Sequence, residues 1–261
     1  MQWWPTDPLF TLSGFIVGLL VGQTGMGGGS LMTPLLVLLF GVHPATAVGT
    51  DLLYAAATKS VGTLVHGANR TVDWRLVGRL AMGSVPATAA TLLLAAQCDL
   101  NAPGTTRMIS VVLGVMLVLT AAALLLRQRV LAGVGQRMDR LSPRSVGLLT
   151  AVLGAALGVL VTISSVGAGA IGVTVLLLLY PRAPMARIVG SDIAHAVPLT
   201  LLAGAGHWWL GSVDWALLGG LLSGSIPGIL IGSYLAARVP DAVLRPVLAA
   251  TLVVVGGRLV F

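Results

Sequence analysis

The sequence contains an internal repeat, and this repeat constrains the fold more than any other feature. At an offset of 140 residues, Gly14, Gly18, Gly27 and Gly29 match Gly154, Gly158, Gly167 and Gly169. One inserted residue changes the offset to 141, at which Gly49-Thr50-Asp51 matches Gly190-Ser191-Asp192 and Gly83-Ser84-Val85-Pro86 matches Gly224-Ser225-Ile226-Pro227. So many uncommon residues in register indicate two copies of one structural unit.

Basic residues occupy opposite loops in the two copies. The stretch NRTVDWRLVGR carries Arg70, Arg75 and Arg79, while its counterpart HWWLGSVDWALLG carries no basic residue. Conversely, GVHPATA has none, and its counterpart YPRAPMAR holds Arg182 and Arg187. Because arginine-rich short loops stay cytoplasmic, the contrast predicts that the two copies are inverted relative to each other.

The composition assigns the chain to the membrane. Hydrophobic residues make up 56% of it and charged residues 9%, against roughly 25% charged residues in a soluble domain. The net charge of +7 does not indicate nucleic acid, because the arginines concentrate in one stretch, as positive-inside topology requires: Arg127, Arg129, Arg137, Arg140 and Arg144. We therefore expect one membrane domain, residues 1–261, in the plasma (bacterial inner) membrane.

Each copy is predicted to be a glycine-tipped helical hairpin followed by three transmembrane helices. The hairpins, 9–42 and 145–181, are too long for one span and are interrupted by glycines. The predicted spans are 47–67, 74–96, 105–127, 188–208, 214–237 and 241–260. Repeat one is 9–127, a cytoplasmic linker is 128–144, repeat two is 145–261, and both termini lie outside.

The glycine-rich tips are candidate anion sites. Non-helical backbone at membrane depth persists only where protein buries it or where it lines a wet cavity, and the helix that starts after each tip offers free N–H groups and a positive dipole end. "GMGGGS" is neither a Walker nor a Rossmann loop, since their patterns are absent. The predicted substrate-binding tip residues are Gly25, Gly27, Gly28, Gly29, Ser30, Ser164, Ser165, Gly167 and Gly169. The alternative is close helix packing, which is the favoured interpretation for Gly14 and Gly18.

Charged residues inside apolar spans are costly and usually functional. Lys59 is a candidate substrate contact, with an internal ion pair to Asp51 or snorkelling to an interface as alternatives. Asp51, Asp192 and His195 are candidate proton-coupling residues, with helix N-capping as the alternative for the two aspartates.

Other polar residues have a structural interpretation. We expect His66 and His207 to anchor helix ends, because no other metal ligand has suitable spacing. Capping and interfacial roles suffice for Asp73 and Asp214. No cofactor or metal is predicted.

These stretches resemble the TauE/SafE family of sulfite and organosulfonate exporters, also called the toluene sulfonate uptake permease family. The resemblance covers nearly the whole chain, and its most specific parts are "GMGGGSLMTPLL", "GTDLLYAAATKSVGTLVHGANRTVDWR" and "GSDIAHAVPLTLLAGAGHWWLGSVDWALLGGLLSGSIPG". It implies a secondary carrier of small sulfur-containing anions such as sulfite, sulfoacetate or thiosulfate. The second tip, "TISSVGAGAIG", lacks the glycine triplet. The sequence therefore leaves open whether both tips bind the substrate, or whether the first binds it and the second supports the first.

The function expected from the sequence is therefore secondary transport of a small anion by alternating access, coupled to protons or to the membrane potential. An anion channel is the alternative. An intramembrane enzyme with Ser30 or Ser164 as nucleophile is disfavoured, because no nucleophile signature surrounds either serine. The expected partners are the anion and the lipid bilayer, with a homodimer left open.

Overall fold

The computed structural model describes residues 8–24, 29–138, 142–235 and 241–260, and the regular structure of this part of the chain is α-helical. Its helices are α1 (Pro8–Thr24), α2 (Gly29–Leu38), α3 (Pro44–Ala68), α4 (Trp74–Ala95), α5 (Pro103–Met138), α6 (Pro143–Ser164), α7 (Ala170–Leu179), α8 (Met185–Trp209), α9 (Trp215–Leu235) and α10 (Asp241–Val260). The all-α class predicted from the sequence is confirmed.

Five of the described helices are long and apolar enough to cross a bilayer, namely α4, α5, α6, α8 and α9. A span needs about 20 predominantly apolar residues, and α8 is the most enclosed of the five, with 61% of its apolar window buried against 39–44% in the others. The chain is thus a polytopic membrane protein, and α8 lies at its centre.

The predicted hairpin 145–181 is a full-length helix, α6, followed by the ten-residue helix α7. The hydroxyls of Tyr180, which follows α7, and of Thr150 in α6 lie 2.8 Å apart. The chain therefore turns back at the glycine-rich break, as predicted. In the first copy, α1 ends at Thr24 and α2 begins at Gly29.

The N-terminal side of the predicted linker 128–144 is helical. Helix α5 continues through Arg127 and Arg129 to Met138 and contains 36 residues. The reason is local, because Gln, Arg, Leu and Ala in this segment are good helix formers and no proline occurs before Pro143. At 1.5 Å per residue such a helix is roughly 54 Å long, which exceeds the ~30 Å hydrocarbon core.

Glycines bring two pairs of helices into backbone contact. A Cβ atom on Gly14 in α1 would collide with the carbonyl of Leu221 in α9, and one on Gly154 in α6 would collide with the carbonyl of Leu80 in α4. A Cβ atom on Gly18 would likewise collide with the carbonyl of Ser225. Small residues allow such close approach between membrane helices, which confirms the packing role predicted for Gly14 and Gly18.

Helices α3 and α8 pack against each other and run antiparallel. Gly49, near the start of α3, contacts His207 and Ser212 at the end of α8. Reciprocally, Gly190 near the start of α8 contacts His66 and Thr71 at the end of α3. Helices α5 and α10 show the same reciprocity through Gly114 and Gly256. Equivalent glycines of the two copies therefore make equivalent contacts with each other's helices.

Contacts between loops gather many of the arginines at one end of the helices. The backbone N–H of Asp73 donates to Ser191 Oγ at 2.8 Å, and Arg79 donates to the Tyr180 hydroxyl at 3.2 Å. The end of α3 and the starts of α4, α6 and α8 thus lie together, and we call this the arginine end, which bears Arg70, Arg75, Arg79, Arg144, Arg182 and Arg187. At the opposite end, His43 and Thr106 are 3.0 Å apart.

Candidate functional site

The break between α6 and α7 is buried, and its backbone takes unusual conformations. Ser165 has a left-handed φ of 57°, and Gly167 and Gly169 have φ of 120° and 124°. A side chain is strained at such angles, which explains the glycines of this tip. Ser164 and Ser165 are 0% and 6% exposed. The tip is therefore enclosed by protein, which makes irregular backbone tolerable inside a membrane protein.

The two serines of this tip differ in their bonding. Ser164 Oγ donates to the Leu160 carbonyl at 2.7 Å and accepts from Val166 N–H at 3.2 Å. Its hydroxyl therefore holds the turn together. Ser165 Oγ is buried without a hydrogen-bond partner and lies close to the carboxylate of Asp51.

The helices after the two tips begin close to the positions that the sequence predicts, near Ser30 and near Ile171. Helix α7 starts at Ala170 and α2 at Gly29, with Ser30 in its first turn. Gly25, Gly27 and Gly28 lie outside the described residues. The anion-binding role of the first tip stays a prediction.

The N-capping interpretation of Asp51 and Asp192 is wrong. Helix α3 begins at Pro44 and α8 at Met185, so each aspartate lies two turns inside its helix. Asp51 is 0% and Asp192 2% exposed. Both are thus carboxylates in the interior of the helix bundle, where charge is costly and usually functional.

The residues before the aspartates serve as helix anchors instead. Thr50 Oγ1 accepts a hydrogen bond from Asp214 N–H at 3.0 Å, and Ser191 Oγ accepts one from Asp73 N–H at 2.8 Å. Each motif, "GTD" or "GSD", therefore ties its helix to the start of a helix in the other copy. The repeat alignment had shown these hydroxyls without indicating their partners.

Asp51 receives a hydrogen bond from the preceding half-helix. The Thr33 hydroxyl in α2 donates to Asp51 Oδ2, while Asp51 Oδ1 is buried without a partner. Thr33 is 0% exposed, so the contact is fully enclosed. Asp51 therefore contacts both hairpins, α2 of the first copy and the Ser165 tip of the second.

Asp192 lies against the backbone of α7. A Cβ atom on Gly172 would be 2.6 Å from Asp192 Oδ1, so the glycine makes room for the carboxylate. Oδ1 has no hydrogen-bond partner. Gly172 is near the N-terminus of α7, where the helix dipole favours negative charge.

Lys59 is the buried cation of α3, and snorkelling is excluded because the residue is only 8% exposed. It interacts electrostatically with Asp192 and with Asp51. Eight residues of helix, about 12 Å, separate Asp51 from Lys59 along α3. The equivalent residue in α8, Thr200, donates to the Ala196 carbonyl of its own helix at 2.8 Å. One lysine therefore lies within electrostatic reach of a buried carboxylate from each copy.

His195 and Tyr54 occupy equivalent positions in the two copies and make equivalent contacts. Tyr54 OH is 2.6 Å from Ser225 Oγ in α9, and His195 Nε2 is 2.8 Å from Ser84 Oγ in α4. The other ring nitrogen of His195, Nδ1, is buried without a partner. Sequence analysis missed Tyr54 and both serines, although the matched "GSVP" and "GSIP" motifs marked the serines.

The remaining polar residues have the structural roles expected of them. Asp73 caps α4 by accepting from Arg75 and Leu76 N–H, and Asp214 accepts from Leu217 N–H in the first turn of α9 at 2.9 Å. His66 Nδ1 is 2.8 Å from Thr71 Oγ1, just after α3. Within the described ranges, no group of three or more His, Cys, Asp or Glu side chains is placed to hold a metal.

His207 connects two helices. Its Nε2 donates to the Thr162 carbonyl in α6 at 2.9 Å. This bond joins the end of α8 to α6 near the buried tip, so the anchoring role predicted for His207 extends beyond its own helix end.

Comparison with known proteins agrees with this architecture. The family model described as "Sulfite exporter TauE/SafE" matches residues 10–259. The chain belongs to the TauE/SafE family. Membership over this length shows a multi-pass membrane transporter.

Three relatives in Bacillus subtilis (strain 168) bear the name "Probable membrane transporter protein". YjnA is 36% identical over 214 residues, covering 82% of this chain and 84% of YjnA. YdhB is 28% identical over 223 residues, covering 83% and 84% of the two chains. YunE is 37% identical over 70 residues, covering 27% and 26%. No solved structure matches this chain.

Proposed function

We propose that this TauE/SafE member is a secondary carrier that exports a small oxyanion, sulfite or an organosulfonate, by alternating access between two inverted repeats. The observation that carries the proposal is Lys59, a buried lysine in the central helix pair, α3 and α8, within electrostatic reach of one carboxylate from each copy. A buried cation shared by two pseudo-symmetric halves is suited to an anion that is held in turn from either side.

The hairpin tips supply the rest of the proposed site. Helix α7 begins inside the protein, so the N–H groups of its first turn and its dipole favour a negative ligand. Ser165 adds a buried hydroxyl beside the Asp51 carboxylate, and the left-handed backbone at Gly167 and Gly169 shapes the loop. The first tip, including Gly25, Gly27, Gly28, Gly29 and Ser30, is proposed to bind in the same way.

The antiparallel contacts of α3 with α8 and of α5 with α10 support the inverted repeat. Short loops rich in arginine stay on the cytoplasmic side. We therefore place the arginine end, with the remaining linker residues, in the cytoplasm of a bacterial inner membrane and the opposite end outside.

Counterflow tests the carrier directly. Purified protein in liposomes preloaded with unlabelled sulfite should accumulate radiolabelled sulfite transiently, and sulfoacetate, thiosulfate and isethionate should compete better than acetate. Counterflow requires a binding site that reorients across the membrane with substrate bound. A channel has no such step and does not produce counterflow. Rapid equilibration without overshoot would establish the channel, and no flux with any of these anions would overturn the proposed substrate class.

The variant pair Lys59→Ala and Thr200→Ala locates the site. Both change an enclosed side chain of the central helix pair, but Thr200 bonds only within α8. We expect Lys59→Ala to raise the half-saturating anion concentration at least tenfold, equivalent to ~1.4 kcal/mol, and Thr200→Ala to change it less than threefold. Equal affinity in Lys59→Ala and wild type, with both variants folded, would remove Lys59 from the site.

A further inference from the structure

The two buried carboxylates are repeat mates, but their surroundings differ. Thr33 donates its hydroxyl to Asp51. At the offset of 141 residues, which also relates the starts of α2 and α7, Thr33 matches Thr174, which donates instead to the Ala170 carbonyl of its own helix at 2.6 Å. Asp192 accepts no hydrogen bond from the described residues, and its Oδ1 atom is buried. A buried carboxylate is stabilised by hydrogen-bond donors, and only Asp51 has one.

Lys59 is the charged group that acts on Asp192. Helix α3 supplies it, together with Asp51 two turns away. Helices α4, α6 and α7 also pack against α8, yet among their described side chains none is in Coulombic contact with Asp192. On α8 itself, His195 is one turn further along, and its Nε2 atom is hydrogen-bonded to Ser84 Oγ.

The charges in this buried group do not balance when an anion is added. One ammonium and two carboxylates sum to −1, and a monoanion would bring the total to −2. Two like charges about 8 Å apart at an effective dielectric constant of about 20 repel by roughly 2 kcal/mol. A proton that arrives with the anion leaves the total at −1, so the two ligands favour each other's binding.

We propose that Asp192 takes up one proton with each transported anion, while Asp51, to which the Thr33 hydroxyl donates, stays ionised. The proton enters from water at one end and leaves to water at the other together with the anion, so a monoanion crosses without net charge movement. This inference rests on the proposed anion transport. It selects proton coupling over potential coupling, and Asp192 over Asp51 and His195.

Carbodiimide labelling tests the assignment without any transport. Dicyclohexylcarbodiimide adds to protonated carboxyl groups in apolar surroundings and leaves a stable N-acylurea that peptide mass spectrometry locates. Asp51 and Asp192 are almost equally buried, at 0% and 2% exposure, so access alone does not favour one of them. We expect at least tenfold more adduct on wild-type Asp192 than on Asp51. Predominant labelling of Asp51, or equal or no labelling of the two, would overturn the assignment.

Proton movement with a strong-acid anion tests the coupling. Isethionate stays ionised at every working pH, so any proton that accompanies it is carried by the protein. In liposomes with a lumenal pH dye and a potassium–valinomycin clamp, an inward isethionate gradient should acidify the lumen by about one proton per anion. The initial rate should be the same at 0 and −100 mV.

The variants separate the three titrating candidates in the same liposomes. The proton-to-anion ratio should fall close to zero in Asp192→Asn and stay near one in Asp51→Asn and His195→Gln, whatever their rates. Isethionate counterflow without acidification in the wild type, or a ratio near one in Asp192→Asn, would overturn proton coupling through Asp192 but leave the carrier intact. Failure of wild-type counterflow with every probe anion would overturn the proposed function itself.

Discussion

The residues of the site show how repeat mates diverge while the backbone stays equivalent. Lys59 stands where α8 has Thr200, and Tyr54 stands where α8 has His195. Tyr54 and His195 nevertheless make equivalent contacts, with Ser225 and Ser84 respectively. Duplication therefore supplies a symmetric frame, and single substitutions make its two sides chemically different.

The hydrogen bond from Thr33 to Asp51 should be measurable as stability. Replacing Thr33 by Val keeps the shape of the side chain but leaves a buried carboxylate oxygen without its donor, which costs about 1–3 kcal/mol. The matched control is Thr174→Val, which loses only a bond to a carbonyl of its own helix, and such bonds do not strengthen a helix. Thermal unfolding in detergent should therefore show the lower Tm for Thr33→Val. Equal Tm values would mean that the Thr33 contact contributes nothing specific.

At the scale of elements, glycine positions decide which helices can touch. The pairs α1–α9 and α4–α6 are brought into backbone contact by glycines in both partners, such as Gly83 and Gly154 in the second pair. Without a hydrophobic driving force between helices in lipid, this close packing is a main source of helix association.

Two glycines of α4 allow a matched test of helix packing. A Cβ atom on Gly83 would collide with the carbonyl of Ala151 and lie 2.7 Å from the backbone nitrogen of Ala155, whereas one on Gly78 meets nothing within 4 Å. Gly83→Ala should cost about 1–3 kcal/mol, because backbone atoms must move. Gly78→Ala should be neutral or stabilising by up to ~1 kcal/mol. Unfolding in detergent measures both, and similar values for the two would contradict close α4–α6 packing.

At the scale of the whole molecule, the helix directions predict which loops face outside. Helix α4 starts at the arginine end, so Cys98, which follows its C-terminus, lies at the opposite end and is exposed. If the arginine end is cytoplasmic, a membrane-impermeant maleimide should label wild-type Cys98 on intact cells.

The reciprocal variant completes this test of topology. In a Cys98→Ser background, Asn69→Cys places the only thiol in the exposed loop between α3 and α4, at the arginine end. This thiol should react only after the membrane is permeabilised. Labelling of Asn69→Cys on intact cells, with protection of Cys98, would reverse the orientation.

The sequence alone determined the repeat, the helix count of each copy and the position of the break between α6 and α7. These features depend on local composition, on the length of apolar runs and on residue register, all of which can be read directly from the order of residues in the chain. The arginines of 128–138 do not end α5, because the helix propensity of this stretch continues it to Met138.

Only the tertiary structure decided which polar groups meet. The contacts of Thr33 with Asp51, Thr50 with Asp214 and Ser84 with His195 join residues from different helices, and no spacing in the sequence indicates them. The difference between Asp51 and Asp192 was equally hidden, because Thr33 and Thr174 are the same residue in the same register and differ only in the acceptor that packing brings within reach.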